Sequence, residues 1–283
     1  MSEVVLFDIQ HGSFVDGPGM RTTVFFKGCN LRCGWCHNPE SQSFLPELLY
    51  DRSLCTDCGL CKKVCKHPES CVLCGDCAEI CLNQAKRFCG KRWSVGTVME
   101  ELLRDRLFYE QTGGGVTFSG GECMLQLEGL EELLKRCWDS GIHTAVDTAG
   151  HVPWSAFARI LPVTDLFLYD VKCLDSRTHL EHTGVDNRMI LENLRKLLEN
   201  GKEVIIRIPV VAGVNDDPDQ MRELAQMICG WGRPSNVELL PCHSMGSTKY
   251  KALGRSYGNY RAPDESRIEE LCMVLTQEGL RDA

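Results

Sequence analysis

Eleven of the eighteen cysteines in this chain lie between residues 29 and 81, at two- and three-residue spacings. Crowding of this kind has two uses: a disulfide framework in a secreted protein, or metal ligation in a reducing compartment. Disulfide scaffolds are short and loop-rich. This chain has 283 residues, 43% of them hydrophobic, enough for one large domain with a sizeable core, so metal ligation fits better. The formal net charge is −8 and the basic residues are scattered, which leaves no electrostatic footprint for nucleic acid or an anionic membrane. There is no run of eighteen apolar residues and no basic, apolar leader, so a cytoplasmic protein is expected.

Outside the cysteine-rich part, strand and helix patterns alternate. Strands at 4–9 and 22–27 flank a turn-rich Val15-Asp16-Gly17-Pro18-Gly19 segment and lead into the first cysteine loop. Residues 51–88 lose all apolar periodicity. They read as an insertion held together by whatever its cysteines bind, and they split the main domain into 1–50 and 89–283. Helices are expected at 95–109, 126–140, 154–161, 189–200, 219–229 and 264–277, and strands at 115–119, 143–147, 166–171, 204–211 and 237–241. Such alternation implies an α/β fold with a parallel sheet covered by helices, and leaves open whether the sheet is open or forms a full or partial barrel. Polar residues recur at the C-terminal ends of these strands, where ligands bind in this class.

Cys29-Asn30-Leu31-Arg32-Cys33-Gly34-Trp35-Cys36 has the form C-x-x-x-C-x-x-C. Three thiolates on one loop can hold three irons of a cubane and leave the fourth without a protein ligand, whereas a simple electron carrier uses four. The competing reading is a structural zinc, with His37 as fourth ligand; its position directly after Cys36 makes that geometry awkward. The motif resembles that of the radical S-adenosylmethionine superfamily, including the aromatic residue before the third cysteine. The resemblance implies that the cofactor's methionine amino and carboxylate groups chelate the open iron. It also implies that Trp35 packs near the adenine, although tryptophan is as commonly an ordinary core residue.

Further segments fall in register with that superfamily. Gly120-Gly121-Glu122 follows a strand and resembles its methionine-amine site, with Cys123 standing where proline is common. Alone it is only a turn. Four segments match, in order, the glycyl radical enzyme activases: 146–150, 169–172, 206–211 and 239–246. By that resemblance Lys172 and Arg207 meet the methionine carboxylate, His243 approaches the cofactor, and Asp147, Thr148 and Asp170 hold a monovalent cation, Na⁺ or K⁺. A cation beside a carboxylate forms a charge-assisted bond, which suits the first two. Asp16, in Asp16-Gly17-Pro18-Gly19-Met20-Arg21, resembles the substrate-facing position of the subfamily, and is equally part of a good turn sequence. The fold implied is a partial (β/α)6 barrel of the TIM type.

Cys55, Cys58, Cys61 and Cys65 form C-x-x-C-x-x-C-x-x-x-C, and Cys71, Cys74, Cys77 and Cys81 repeat it sixteen residues later. This is the bacterial ferredoxin spacing, in which the fourth cysteine of each run ligates the other cluster. The expected sets are therefore Cys55, Cys58, Cys61 with Cys81, and Cys71, Cys74, Cys77 with Cys65. Lys66 and Leu82 stand where ferredoxins place proline. Electron relay to the first cluster is expected of this pair, which sits beside it in sequence, with a structural or docking role as the alternative.

Together the resemblance implies an anaerobic oxidoreductase with three 4Fe–4S clusters, acting as a monomer. Reduced by flavodoxin or ferredoxin, it cleaves S-adenosylmethionine and takes hydrogen from a backbone glycine of a partner enzyme. Two rivals are a peptide-modifying maturase of the same superfamily and an electron-transfer module without catalysis.

Overall fold

The computed structural model describes residues 2–280. Ten strands are present among the described residues: β1 (Glu3–Ser13), β2 (Arg21–Phe26), β3 (Glu47–Tyr50), β4 (Lys86–Cys89), β5 (Lys91–Ser94), β6 (Gly115–Gly120), β7 (His143–Thr148), β8 (Leu166–Asp170), β9 (Glu203–Val210) and β10 (Asn236–Pro241). Eight of them form one sheet in the order β10-β9-β8-β7-β6-β2-β1-β5. From β2 to β10 all neighbours are parallel. β1 joins β2 and β5 antiparallel. Six parallel strands with helical crossovers are the architecture expected of the partial barrel; β10 and β5 stand at its two edges.

These strands form where they do because they are apolar on both faces, as a parallel sheet under helices requires. In β8, Leu166, Phe167, Leu168 and Tyr169 are all fully buried. The covering helices present residues at three- and four-residue spacing: Leu130, Leu133, Leu134 and Cys137 in Leu127–Asp139, and Ile190, Leu194, Leu197 and Leu198 in Arg188–Glu199. Each fully buried Leu or Phe contributes about 1.5–3 kcal/mol of transfer free energy.

Two departures from the sequence pattern affect the site. The helix expected at 95–109 is two, Val95–Leu103 and Arg106–Thr112. It breaks at Asp105, whose carboxylate accepts from the Thr22 hydroxyl at 2.6 Å and lies 2.5 Å from His11 Nδ1. A helix not expected at all, Ser176–Thr183, follows β8, capped by Asp175 accepting from Thr178 N–H at 2.7 Å.

Strands β3 and β4 form a separate antiparallel pair, with Tyr50 opposite Lys86. Residues 51–85 therefore leave and return at adjacent points. Within them φ is positive at Asp57 and Gly59 and again at Leu73 and Gly75, so the two cysteine runs share a backbone conformation. Each leads into a short helix, Leu60–Val64 and Asp76–Glu79.

Candidate active site

Cys29, Cys33 and Cys36 line a cavity of about 300 Å³ at the C-terminal ends of the parallel strands. The loop that carries them is fixed by backbone bonds: Gly28 N–H to Ser41 O at 2.6 Å, Arg32 N–H to Thr183 O at 2.7 Å and Gly34 N–H to His182 O at 3.0 Å. Helix Ser176–Thr183 is thus the outer support of the loop. Gly34 has no room for a side chain, since a Cβ there would stand 2.4 Å from the Tyr260 hydroxyl.

Burial pushes the thiols of Cys29 and Cys33 up to about 12 and that of Cys36 up to about 11. They remain protonated at neutral pH until a metal's positive charge displaces the protons. Lys172 and the Gly120-Gly121 turn line the same cavity. Three thiols on one loop beside a buried cation suit an iron–sulfur cubane held at three corners and a ligand carrying a carboxylate. Among the described residues no three His, Cys, Asp or Glu side chains gather tightly enough to hold a single ion as they stand.

Lys172 donates to Asp170 Oδ2 at 2.6 Å. Burial works against its charge, yet Asp170, Cys33 and Cys29 outweigh that and hold its pKa above the ordinary lysine value. Asp147 accepts from the Ser119 hydroxyl at 2.5 Å; burial pushes its carboxyl up to about 6, with the nearby Arg207 guanidinium opposing. Asp147, Thr148 and Asp170 all line the cavity, at the ends of adjacent strands.

The structure gives the Gly-Gly-Glu turn a different local logic from the one its sequence suggests. A Cβ on Gly120 would stand 2.3 Å from Phe26 N, with φ at +117°, and one on Gly121 would stand 2.3 Å from Gly28 O. The glycines are required first by packing against β2 and the cysteine loop. Glu122 is fully buried and does not line the cavity. Its carboxyl accepts from Thr148 Oγ1 at 2.8 Å, Ala149 N at 3.0 Å and Met124 N at 3.3 Å, tying β7 to the turn.

Arg207 also lies outside the cavity lining. It donates to Val15 O at 2.6 Å and to Glu238 at 3.2 Å, and its guanidinium is 3.9 Å from Asp147. Asp16 accepts from the Ser13 and Thr23 hydroxyls at 2.6 and 2.8 Å. It lines an adjoining cleft of about 590 Å³ that shares His37, Asn38, Ser119 and Asp147 with the cavity. Trp35 and His243 both line the cavity itself. Trp35 packs edge-on to Tyr260 with ring centroids 5.6 Å apart, and His243 meets His37 edge-on at 4.3 Å. Burial, then His243 and Lys249, pull the His37 imidazole down to about 4, so it is neutral at pH 7.

Cys55, Cys58, Cys61 and Cys81 line one cavity in the 51–85 segment; Cys65, Cys71, Cys74 and Cys77 line another. The fourth cysteine of each run has crossed to the other set. The sequence reading did not single out Ser119, Tyr260 or the helix supporting the cysteine loop. Ser119 sits directly before the Gly-Gly-Glu turn, which is a signal; Tyr260 comes from a segment with no motif.

A fold of six parallel strands with three clustered thiols at their C-terminal ends defines a class, and the comparisons agree with it. The model of the Radical SAM superfamily matches residues 23–225, and the chain belongs to that superfamily. The trans-4-hydroxy-L-proline dehydratase activating enzyme of Clostridioides difficile is 38% identical over 289 residues, covering 94% of each chain. The choline trimethylamine-lyase activating enzyme of Oleidesulfovibrio alaskensis is 42% identical over 274 residues, 90% of this chain and 88% of that one. A solved domain of the pyruvate-formate lyase-activating enzyme from Bacteroides vulgatus superimposes with a TM-score of 0.52 at 33% identity, over 60% of this chain and 98% of that one. A radical SAM methyltransferase from Sphaerobacter thermophilus shares the fold, with a TM-score of 0.58 at 16% identity over 100% of this chain and 75% of the other. Within the superfamily this chain is a glycyl radical enzyme activating enzyme. No helix among the described residues is long and apolar enough to cross a membrane.

Proposed function

We propose that this chain generates a glycyl radical on a partner enzyme, and that Cys29, Cys33 and Cys36 hold the 4Fe–4S cluster that makes this possible. The observation that carries the reading is that three thiols and a lysine paired with Asp170 line one cavity. Held by these three cysteines, the cluster would supply the electron for reductive cleavage of S-adenosylmethionine to methionine and a 5′-deoxyadenosyl radical, which would take hydrogen from the partner's backbone glycine. The protein's part is positioning. Lys172 offers the ligand's carboxylate a fixed positive charge, the Gly120-Gly121 turn brings backbone to the cavity wall, and Trp35 and His243 bound the space for the nucleoside. Asp147, Thr148 and Asp170, with a backbone carbonyl near Leu168, offer hard oxygens to Na⁺ or K⁺. Asp16, in the adjoining cleft, faces the incoming peptide.

The same reading gives the 51–88 insertion two further 4Fe–4S clusters, on the crossed cysteine sets, and makes flavodoxin or ferredoxin the reductant of a monomeric enzyme. The test is anaerobic turnover. Parent protein reduced with dithionite should release 5′-deoxyadenosine, and a co-expressed partner should show a glycyl radical by electron paramagnetic resonance. Cys33→Ala should abolish both, and turnover retained in that variant would refute the assignment.

A further inference from the structure

The two halves of the cysteine-rich segment share a backbone conformation but carry opposite charge. Residues 51–67 contain four Lys or Arg (Arg52, Lys62, Lys63, Lys66) and two Asp; residues 68–82 contain three carboxylates (Glu69, Asp76, Glu79) and no Lys or Arg. Lys62, Lys63 and Lys66 are exposed, and none has an ion-pair partner among the described residues. Arg52 and Lys86 both lie over the Tyr50 ring, 5.9 and 5.4 Å from its centroid, and with Lys62 they outnumber the one carboxylate, Asp57, around the cavity of Cys55, Cys58, Cys61 and Cys81. Leu54 and Leu82 also line that cavity and are 47% and 83% exposed. Exposed apolar residues among basic ones are the anatomy of a weak, electrostatically steered protein contact.

The other set is partly exposed as well, at Cys71 and Cys74, but it alone adjoins the catalytic side. Phe88 lines the cavity of Cys65, Cys71, Cys74 and Cys77, and also the cleft that opens into the Cys29–Cys33–Cys36 cavity. No such shared residue links the Cys55 set to that cleft. The chain as a whole is acidic, at −8, so an acidic partner is repelled elsewhere and guided to this face.

We infer that the face over Cys55, Cys58, Cys61 and Cys81 is the docking surface for a small acidic electron-carrier protein, and that electrons pass from there to the Cys65 set and on past Phe88. The inference rests on the proposed iron–sulfur reading of these two sets. One electron leaves the carrier's reduced iron and is taken up by the thiolate-held iron of this chain; no bond is made or broken and no proton moves.

The test uses the full, iron-reconstituted chain without S-adenosylmethionine, followed by bleaching of its cluster absorbance. A reduced acidic ferredoxin is one electron source and dithionite the other. Lys62→Glu/Lys63→Glu should slow reduction by ferredoxin about tenfold at low salt. The gap should close near 1 M salt, where the screening length is about 3 Å. Iron content and the dithionite rate should match the parent. Equal ferredoxin rates for parent and variant at low salt would overturn the inference, as would slowing by Glu69→Lys/Glu79→Lys instead. Carbodiimide cross-linking of unmodified protein to ferredoxin gives a second answer: links to Lys62, Lys63, Lys66 or Lys86 support the docking face, and links confined to other lysines remove it. Parent protein that binds no iron at 51–85 fails the underlying reading, and that shows in iron content before any reductant is added.

Discussion

Lys172 and Asp170 meet at 2.6 Å at the end of β8, with the lysine side chain only 11% exposed. Removing one partner of a buried pair leaves an uncompensated charge. Asp170→Ala should therefore lower the unfolding free energy of the metal-free protein by about 3 kcal/mol, the low end for such pairs because the carboxylate is 26% exposed. In the loaded enzyme it should weaken S-adenosylmethionine binding. Urea denaturation and equilibrium binding check the two parts, and unchanged values in both would remove the pair from the site.

Glu122 gives a pH dependence of definite sign. Burial pushes its carboxyl up to about 7 from an ordinary 4.5, and the bonds from Thr148, Met124 and Ala149 offset this only in part. The folded protein therefore keeps a proton that the unfolded chain releases. Its contribution is complete below about pH 4.5 and is lost as pH rises through 7, on the order of 3 kcal/mol over that window. In Glu122→Gln this component should be flat. Urea unfolding of the metal-free protein from pH 5 to 8 compares the slopes; identical slopes would mean that Glu122 is ionised throughout.

Gly120→Ala tests whether the turn is set by the fold or by a ligand. With φ at +117° and Phe26 N at 2.3 Å from the added carbon, the substitution should cost the metal-free protein more than about 2 kcal/mol, seen as a lower Tm. A variant as stable as the parent that fails only to bind S-adenosylmethionine would show the reverse.

Cys58→Ala separates the cysteine-rich segment from the catalytic cavity. It should lower the iron content yet leave dithionite-driven release of 5′-deoxyadenosine in place, because the cavity Cys58 lines shares no residue with the Cys29–Cys33–Cys36 cavity or its adjoining cleft. Loss of release with the first cluster intact would show that the segment also supports the active site.

Much of this was legible because local residues carry it. The parallel strands are short apolar runs bounded by turns, and the cysteine spacings encode which thiols meet. What escaped depends on partners remote in sequence. Asp105 breaks a helix because Thr22, 83 residues away, donates to it. The activase resemblance places Arg207 at a carboxylate; its bond to Val15 O, 192 residues distant, is a contact no local pattern shows. Strands β3, β4 and β5, of four residues each, are too short to show a period.

Tyr50 and Lys86 face one another across the β3–β4 pair. Everything between them can be exchanged for a tight hairpin turn without stretching the flanking strands, so the cysteine-rich module is interchangeable equipment. A chain shortened to a tight turn between those two positions is expected to keep the sheet, the thiol loop and the Lys172 pocket.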